Sequence, residues 1–430
     1  MANNVESNFR EKVMPTFLTA FDTQRIYSKL VNTQFLDGVF NPESGTSVAF
    51  KRPSRYNTIE TAKGDITGES ASDIVVGNAF GRVQNQITVL LDYDVIDQAL
   101  KLNNLAEIIA PAATELVTKL ETNFADFMTK NTALLSGTVG TSVTAWKEVA
   151  ESGALMKSTG VPQDSMWSFA MNPFTQVELA EQQRSLGAGG SAGTAVMSAL
   201  DRATINENFA GMRVMAATNS STYTADSVAD RVGALSANPD VTYLTTKDTY
   251  TQALVVDNFG VDLEIKAGEQ VQITGVNRLN LNNRKLVLDQ LGNPIVWTAT
   301  VVADVTLSGT GTGTIVVTGP AVFEAATGGA GAFNTASRAP ISGDVVTILG
   351  AASDTHQPNL FWHKDAFSIG TVPLKKLEGQ VNTGTTSDGI HIQVTRGSDF
   401  TKFSNQVRFD ILPAFAVMNP FLAGQGFGNP

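Results

Sequence analysis

Apolar residues recur at three- and four-residue steps through Leu105, Ile108, Ile109, Ala112, Leu116, Val117, Leu120, Phe124, Phe127 and Met128. That period predicts one long amphipathic helix from Leu105 to Lys130, about 39 Å at 1.5 Å per residue. Pro111 either kinks it or marks the first turn of its main part. A second amphipathic helix is predicted from Trp146 to Met156, closed by Gly160 and Pro162. A third opens at Asn172-Pro173, an N-cap followed by proline, and runs to about Ser185. Elsewhere the period is two. Thr46 to Arg52 alternates through Val48 and Phe50, and Arg82 to Leu91 through Val83, Ile87, Val89 and Leu91. The long polar excursion between them predicts a projecting hairpin that needs a partner to lie on. Met166–Met171 and Gly211–Ala217 read as strands, Gly187–Gly193 as a flexible loop. Residues 1–35 read as an arm, with Phe17, Phe21, Ile26 and Leu30 at loosely helical spacing.

Between about Thr222 and Ser353 this mixed pattern gives way to strand-only text rich in Gly, Thr and Val. Two segments in it nearly repeat: Lys266-Ala-Gly-Glu-Gln-Val-Gln-Ile-Thr-Gly275 and Ile341-Ser-Gly-Asp-Val-Val-Thr-Ile-Leu-Gly350. Glycine supplies the turn and the Val/Ile alternation points one face inward, so the stretch predicts a small barrel spliced into a larger domain. Beyond it, Asn359–Pro373 resumes in strands, and His391–Arg396, Gln406–Ile411 and Phe415–Asn419 finish the sheet. Strands before and after the insert are therefore expected to share one sheet.

Composition narrows the function more than the fold. The 430 residues exceed one core, and length suggests two to four domains. Only 17% of residues are charged, so broad surfaces can be covered by partners at low desolvation cost. With 30 basic against 41 acidic residues and a net charge of −11, the chain lacks the basic footprint of tight or sequence-specific nucleic-acid binding. It has no cysteine, which removes disulfides, thiolate catalysis and Cys-type zinc sites. The first residues lack a charged-then-apolar signal profile, and no apolar run approaches the ~20 residues of a membrane span.

Catalysis should leave a constellation, and none is found. His356, His363 and His391 have no metal spacing and read as surface or satisfied core groups. There is no Gly-x-Ser-x-Gly elbow and no Gly-Lys dipeptide for a phosphate loop. Asp92, Asp94 and Asp97 cluster after the hairpin, where Asp94 reads as a helix cap. Asp257, Asp262 and Glu264 miss the EF-hand spacing. Neither a cofactor nor a metal is expected, and the reading is structural rather than enzymatic.

Several segments carry a resemblance: Phe50-Lys-Arg-Pro53, Thr61-Ala-Lys-Gly-Asp-Ile-Thr-Gly68, Ile108-Ile-Ala-Pro111, Gln357-Pro-Asn-Leu-Phe361, Val407-Arg-Phe-Asp-Ile-Leu-Pro-Ala-Phe-Ala-Val-Met-Asn-Pro420 and Gly426-Phe-Gly-Asn-Pro430. In this order they resemble the major capsid (coat) proteins of tailed double-stranded-DNA bacteriophages, closest to those of short-tailed enteric phages. The resemblance implies an α+β fold of that capsid type with an inserted small all-β barrel domain. It places an N-terminal arm at 1–43 and an extended β-hairpin loop at 44–94. A peripheral domain would comprise 95–143 and 378–430 with spine helix 105–130. An axial domain would comprise 144–221 and 354–377, with the inserted barrel at 222–353. It further implies self-assembly into pentamers and hexamers with a scaffolding protein and a portal protein. The first product is a procapsid, made in the host bacterial cytoplasm, that expands on packaging into the virion. Double-stranded DNA would be enclosed without sequence-specific binding, and no membrane is involved. Charged residues expected to contact neighbouring subunits are Lys51, Arg52, Arg55, Lys63, Asp65, Arg278, Arg284 and Lys285. The stretch Asp257–Asp262 is too short for the charged insert loop that pairs across two-fold axes in some relatives, so that contact is not carried over. Competing readings are a cellular nanocompartment shell of the same fold and a phage tail or surface-layer protein.

Overall fold

The computed structural model describes residues 14–33, 45–56, 58–61, 63–68, 74–94, 105–186, 202–324, 330–375, 380–399 and 404–428. It divides into two compact units. One comprises residues up to 50 with 80–125 and 367–417; the other comprises 51–79, 126–366 and 418–430. The long helix runs Leu105–Lys130, as its period predicts, with Pro111 inside it.

In the first unit two four-stranded sheets are built from the same pair of chain segments. Asn78–Val83 and Pro413–Val417 lie together in one sheet, and Ile87–Asp94 and Ser404–Ile411 in the other. The expected single strand Arg82–Leu91 is thus two strands. The polar run Gln84-Asn85-Gln86 breaks the alternation, and Gln84 donates its N–H to the Pro413 carbonyl at 2.8 Å. For the same reason the C-terminal strands do not finish a single sheet. Pro413 lacks the N–H needed to continue the ladder of Ser404–Ile411, so the chain changes sheets there.

The N-terminal helix Met14–Thr23 packs on its own unit, with Phe17 and Phe21 fully buried and Phe17 stacked on Phe409 at 4.6 Å between centroids. The turn that follows is fastened by Glu121, itself 1% exposed. Its carboxylate accepts the N–H groups of Ile26 at 3.2 Å, Tyr27 at 2.7 Å and Ser28 at 3.2 Å, and also the Ser28 hydroxyl. Glu121→Ala would leave those buried donors without an acceptor. A loss of about 3 kcal/mol is expected, read as a lower unfolding midpoint in denaturant.

The second unit contains a six-stranded sheet in the order Leu134–Ser136, Ala423–Gly426, Asn359–Trp362, Ser168–Met171, Met212–Ala216, Asn208–Phe209. Leu360 sits opposite Ala170, and Ala170 runs parallel beside Met215, so strands before and after the insert do share one sheet. Trp146–Thr159 and Pro173–Leu186 are the two flanking helices. The first ends on Gly160 at φ 89°, and the second is capped by Asn172, whose side chain accepts the Phe174 N–H at 2.9 Å.

The insert begins and ends in one short ladder, Tyr223 opposite His356 and Thr224 opposite Thr355. Between these stems lies a closed six-stranded barrel. Its strands run in the order Thr251–Asp257, Gly313–Thr318, Val296–Val301, Gln270–Asn277, Val345–Ile348, Val232–Leu235. Leu254, Ile273, Trp297, Ile315 and Val346 fill it, each at 0% exposure. The two near-repeats become neighbouring strands, with Val271 opposite Ile348 and Ile273 opposite Val346. All four of their framing glycines, Gly268, Gly275, Gly343 and Gly350, take positive φ. The acidic residue does the same job in both. Glu269 accepts the Lys266 N–H and Asp344 the Ile341 N–H, and each carboxylate also binds an arginine, Arg231 and Arg338 respectively.

Candidate assembly surface

The polar excursion after Phe50 enters the second unit through Lys51-Arg52-Pro53. Arg52 is 4% exposed, and its guanidinium is spent on three carbonyls. Nε donates to Met418 at 2.9 Å, and Nη1 to Lys247 at 2.6 Å and Asp248 at 3.0 Å. The same group lies 3.9 Å from the Tyr250 ring centroid. Burial lowers its pKa. Nearby, the Asp248 carboxylate accepts the Asn78 N–H at 2.8 Å, and Arg52 N–H binds the Gly77 carbonyl at 2.7 Å. Gly77 fits because it has no side chain, since a Cβ there would stand 2.4 Å from the Lys247 carbonyl oxygen. Val75 packs on Tyr243, Val322, Ala332 and Phe333. The root of the loop is therefore clamped to the insert at 243–250.

Beyond the root the loop turns outward in chemistry. Tyr56, Ile59, Ile66 and Ile74 are 57%, 43%, 61% and 75% exposed. Lys63 and Asp65 are exposed among them, as is Lys51 at the root. The Asp65 carboxylate accepts hydrogen bonds from Thr67, which lower its pKa. Four large apolar side chains left bare on one segment mark a surface meant to be covered.

The expected contact residues separate here into two groups. Lys51, Lys63, Asp65 and Lys285 are exposed. Arg52 and Arg278 are not, and the expectation that they are available to a neighbour is corrected. Arg278 is 3% exposed, gives Nη2 to the carbonyls of Ala133 and Thr298, and is pushed down to about 10 by burial. Arg55 and Arg284 are half-buried, and each donates to a carbonyl of the same unit, Leu281 and Ala332. Burial, with Arg55 second, pushes Arg284 down to about 10. The reason is geometric: a guanidinium has five donors in a fixed fork, which suits the carbonyls left over at turns. Sequence reasoning counted charges and could not see which ends of chain come together.

The other chemical candidates do not build a site. Asp92 and Asp94 end the strand Ile87–Asp94; Asp97 and the helix that Asp94 was expected to cap lie outside the described residues, as does the loop Gly187–Gly193. Glu264 pairs with Lys266 rather than with Asp257 or Asp262. Asp164, His363 and Asp365 do converge, a grouping that the sequence hides behind wide separation. Buried His363 accepts the Asp365 N–H on Nδ1 at 3.2 Å, which leaves Nε2 to donate to Asp164 at 2.7 Å. With Lys364 3.6 Å from the same Asp164 carboxylate, the cluster is a surface hydrogen-bonded group, buried only at His363, with its own cation. Among the described residues no helix is long and apolar enough to cross a membrane.

A long amphipathic helix, an inserted closed barrel and a clamped loop with a bare apolar flank describe a structural subunit that is completed by neighbours. The comparisons give the class its name. The family described as "P22 coat protein - gene protein 5" matches residues 1–428, and the chain belongs to that family. The "Major capsid protein" of Acyrthosiphon pisum secondary endosymbiont phage 1 is 33% identical over 434 residues, covering 100% of both chains. Among solved structures, one from Mycobacterium phage Che8 aligns over 94% of this chain and 90% of its own at 12% identity and TM-score 0.45. The capsid of Cyanophage P-SCSP1u aligns over 94% and 88% at 11% identity and TM-score 0.44. At these scores neither structure adds to the family assignment. The protein is thus a non-enzymatic capsid subunit that self-assembles into an icosahedral shell, and its place is the virion. The nanocompartment and tail readings give way to this end-to-end match.

Proposed function

We propose that the chain forms hexamers and pentamers, co-assembles with a scaffolding protein around a portal protein into a procapsid in the host cytoplasm, and expands when double-stranded DNA is packaged. The observation that carries this reading is the family match running from residue 1 to 428, insert included. The acidic balance supports enclosure without sequence-specific binding, because a lining of fixed positive charge would hold the genome in place. In this reading residues 1–43 form the arm, 44–94 the extended loop, 95–143 with 378–430 the peripheral domain, 144–221 with 354–377 the axial domain, and 222–353 the inserted domain. Co-expression with the scaffolding protein of the same phage, viewed by electron microscopy, should give closed shells with an inner protein layer. Aggregates or open sheets alone would refute it.

Lys51, Lys63, Asp65 and Lys285 are proposed as charged contacts between subunits. One exposed pair is worth about 0–1 kcal/mol, but it recurs at every copy. Lys63→Glu should therefore raise the protein concentration needed for half-maximal assembly by about two- to five-fold, with the monomer's melting temperature unchanged. An unaltered assembly curve removes Lys63 from the contact.

A further inference from the structure

In the first unit, the sheet Gln380–Thr385, His391–Asp399, Ser404–Ile411, Ile87–Asp94 carries a polar row across its strands. The register sets Thr383 opposite Gln393, Gln393 opposite Asp410 and Asp410 opposite Thr88, so these side chains share one face. Ile392, Val394 and Phe409 alternate to the other face and are 1%, 0% and 0% exposed, which makes that side the core. An antiparallel sheet ordinarily turns its polar face to water. Here the two middle members are withdrawn from it: Gln393 is 5% exposed and Asp410 3%. The segment Val372-Pro373-Leu374 is tied down by the Val372 N–H, which donates to the Leu412 carbonyl at 2.9 Å. With Thr383, His391, Gln393 and Asp410 it lines a cavity of about 100 Å³.

Buried polar groups need partners, and this row is only half supplied. Asp410 Oδ1 accepts from Gln86 Nε2 at 2.7 Å, the Thr88 hydroxyl at 2.6 Å and Arg408 Nε at 2.8 Å, whereas no hydrogen bond among the described residues uses Oδ2. Gln393 Nε2 reaches Thr395 Oγ1 at 3.5 Å, while its Oε1 is buried with no partner among the described residues. His391 bonds Thr385 through Nδ1 at 2.9 Å, and the tautomer that donates there leaves Nε2 as an acceptor. The cavity therefore presents a carboxylate oxygen, an amide oxygen, a hydroxyl and an imidazole nitrogen, all able to accept. Among the described residues no lysine or arginine lines it.

We propose that this cavity binds a primary ammonium group carried on an alkyl chain. Three N–H donors on one positive centre match Asp410 Oδ2, Gln393 Oε1 and one further acceptor from Thr383 or His391. The apolar border decides against a metal ion. Val372, Pro373 and Leu374 offer hydrocarbon, which covers methylenes but cannot replace the oxygen ligands or waters that a divalent cation keeps. Gln86, Thr88 and Arg408 hold the carboxylate through Oδ1, so its orientation is set before a ligand arrives. A free diamine and a lysine side chain both present this chemistry.

Isothermal titration of the full chain with putrescine, a four-carbon diamine, at fixed ionic strength should give one saturable site per subunit. Gln393→Leu should weaken it at least about tenfold, the worth of one hydrogen bond to a charged donor. Because Oε1 has no partner in the subunit, that variant should melt no lower than wild type. Asp410→Asn should weaken binding at least as much, and Gln393→Leu carries the test if loss of the Arg408 and Thr88 bonds unfolds that variant. Closed shells that bind putrescine as the unassembled subunit does identify a free amine as the ligand. Loss of binding on assembly identifies a lysine of another copy, which carbodiimide would join to Asp410. No saturable heat, equal binding by Gln393→Leu, or tighter binding of magnesium or calcium than of putrescine would overturn the proposal.

Discussion

Arg231→Ala is expected to destabilise the inserted barrel by about 3–5 kcal/mol, the usual cost of breaking a buried ion pair from one side. Arg231 and Glu269 side chains are 5% and 0% exposed, with Nη2 and Oε1 2.8 Å apart. Glu269 also accepts the backbone N–H that closes the first near-repeat turn, so losing the arginine strands a carboxylate at a structural corner. Burial, only partly offset by Arg231, raises the Glu269 pKa above its ordinary 4.5. A carboxyl with a raised folded pKa contributes stability that is full at acid pH and is lost as pH rises through that pKa. The deficit of Arg231→Ala should therefore be largest in neutral and alkaline buffer and narrow as pH falls through the raised value. Thermal unfolding across that range measures it, and a deficit independent of pH would contradict the account. Joint replacement by apolar residues, Arg231→Met with Glu269→Leu, should recover most of the loss.

The second large effect is expected at Arg52. Arg52→Ala removes the donor for the Met418, Lys247 and Asp248 carbonyls and the cation over Tyr250. Each buried acceptor left unpaired costs about 1–3 kcal/mol, so about 3–5 kcal/mol in all is expected after relaxation. The physical outcome is release of the loop root. Limited proteolysis should cut the segment around Arg55 and Lys63 at least about tenfold faster in the variant, because local opening becomes easier. Arg52→Lys should rescue only in part, since one ammonium cannot replace the fork that reaches both sides. A cleavage rate equal to wild type would show that Gly77, Val75 and Asp248 hold the root without it.

What the sequence made legible was what depends on period and on turn chemistry. The long helix, the capped helices and the barrel all rest on spacing that one segment carries by itself. The near-repeat was visible as text, and its structural meaning, an acidic side chain closing its own turn and binding an arginine, follows from glycine and carboxylate at fixed offsets. The break at Gln84–Gln86 and the sheet change at Pro413 were missed because each needs its partner: three polar residues become a corner only opposite a proline more than three hundred residues away. Arg52 and Arg278 were misjudged for a related reason. A guanidinium looks like surface until distant carbonyls, here from 133, 247, 298 and 418, converge on it.

The paired stems at Tyr223–Thr224 and Thr355–His356 have an evolutionary consequence. Opposed residues in an antiparallel ladder stand about 5 Å apart, so the host sheet registers only that small gap and not the length of chain beyond it. Whole modules can then be enlarged, shrunk or exchanged at this junction while the parent scaffold stays in register. The same junction is a natural place to graft a displayed domain whose own termini lie side by side.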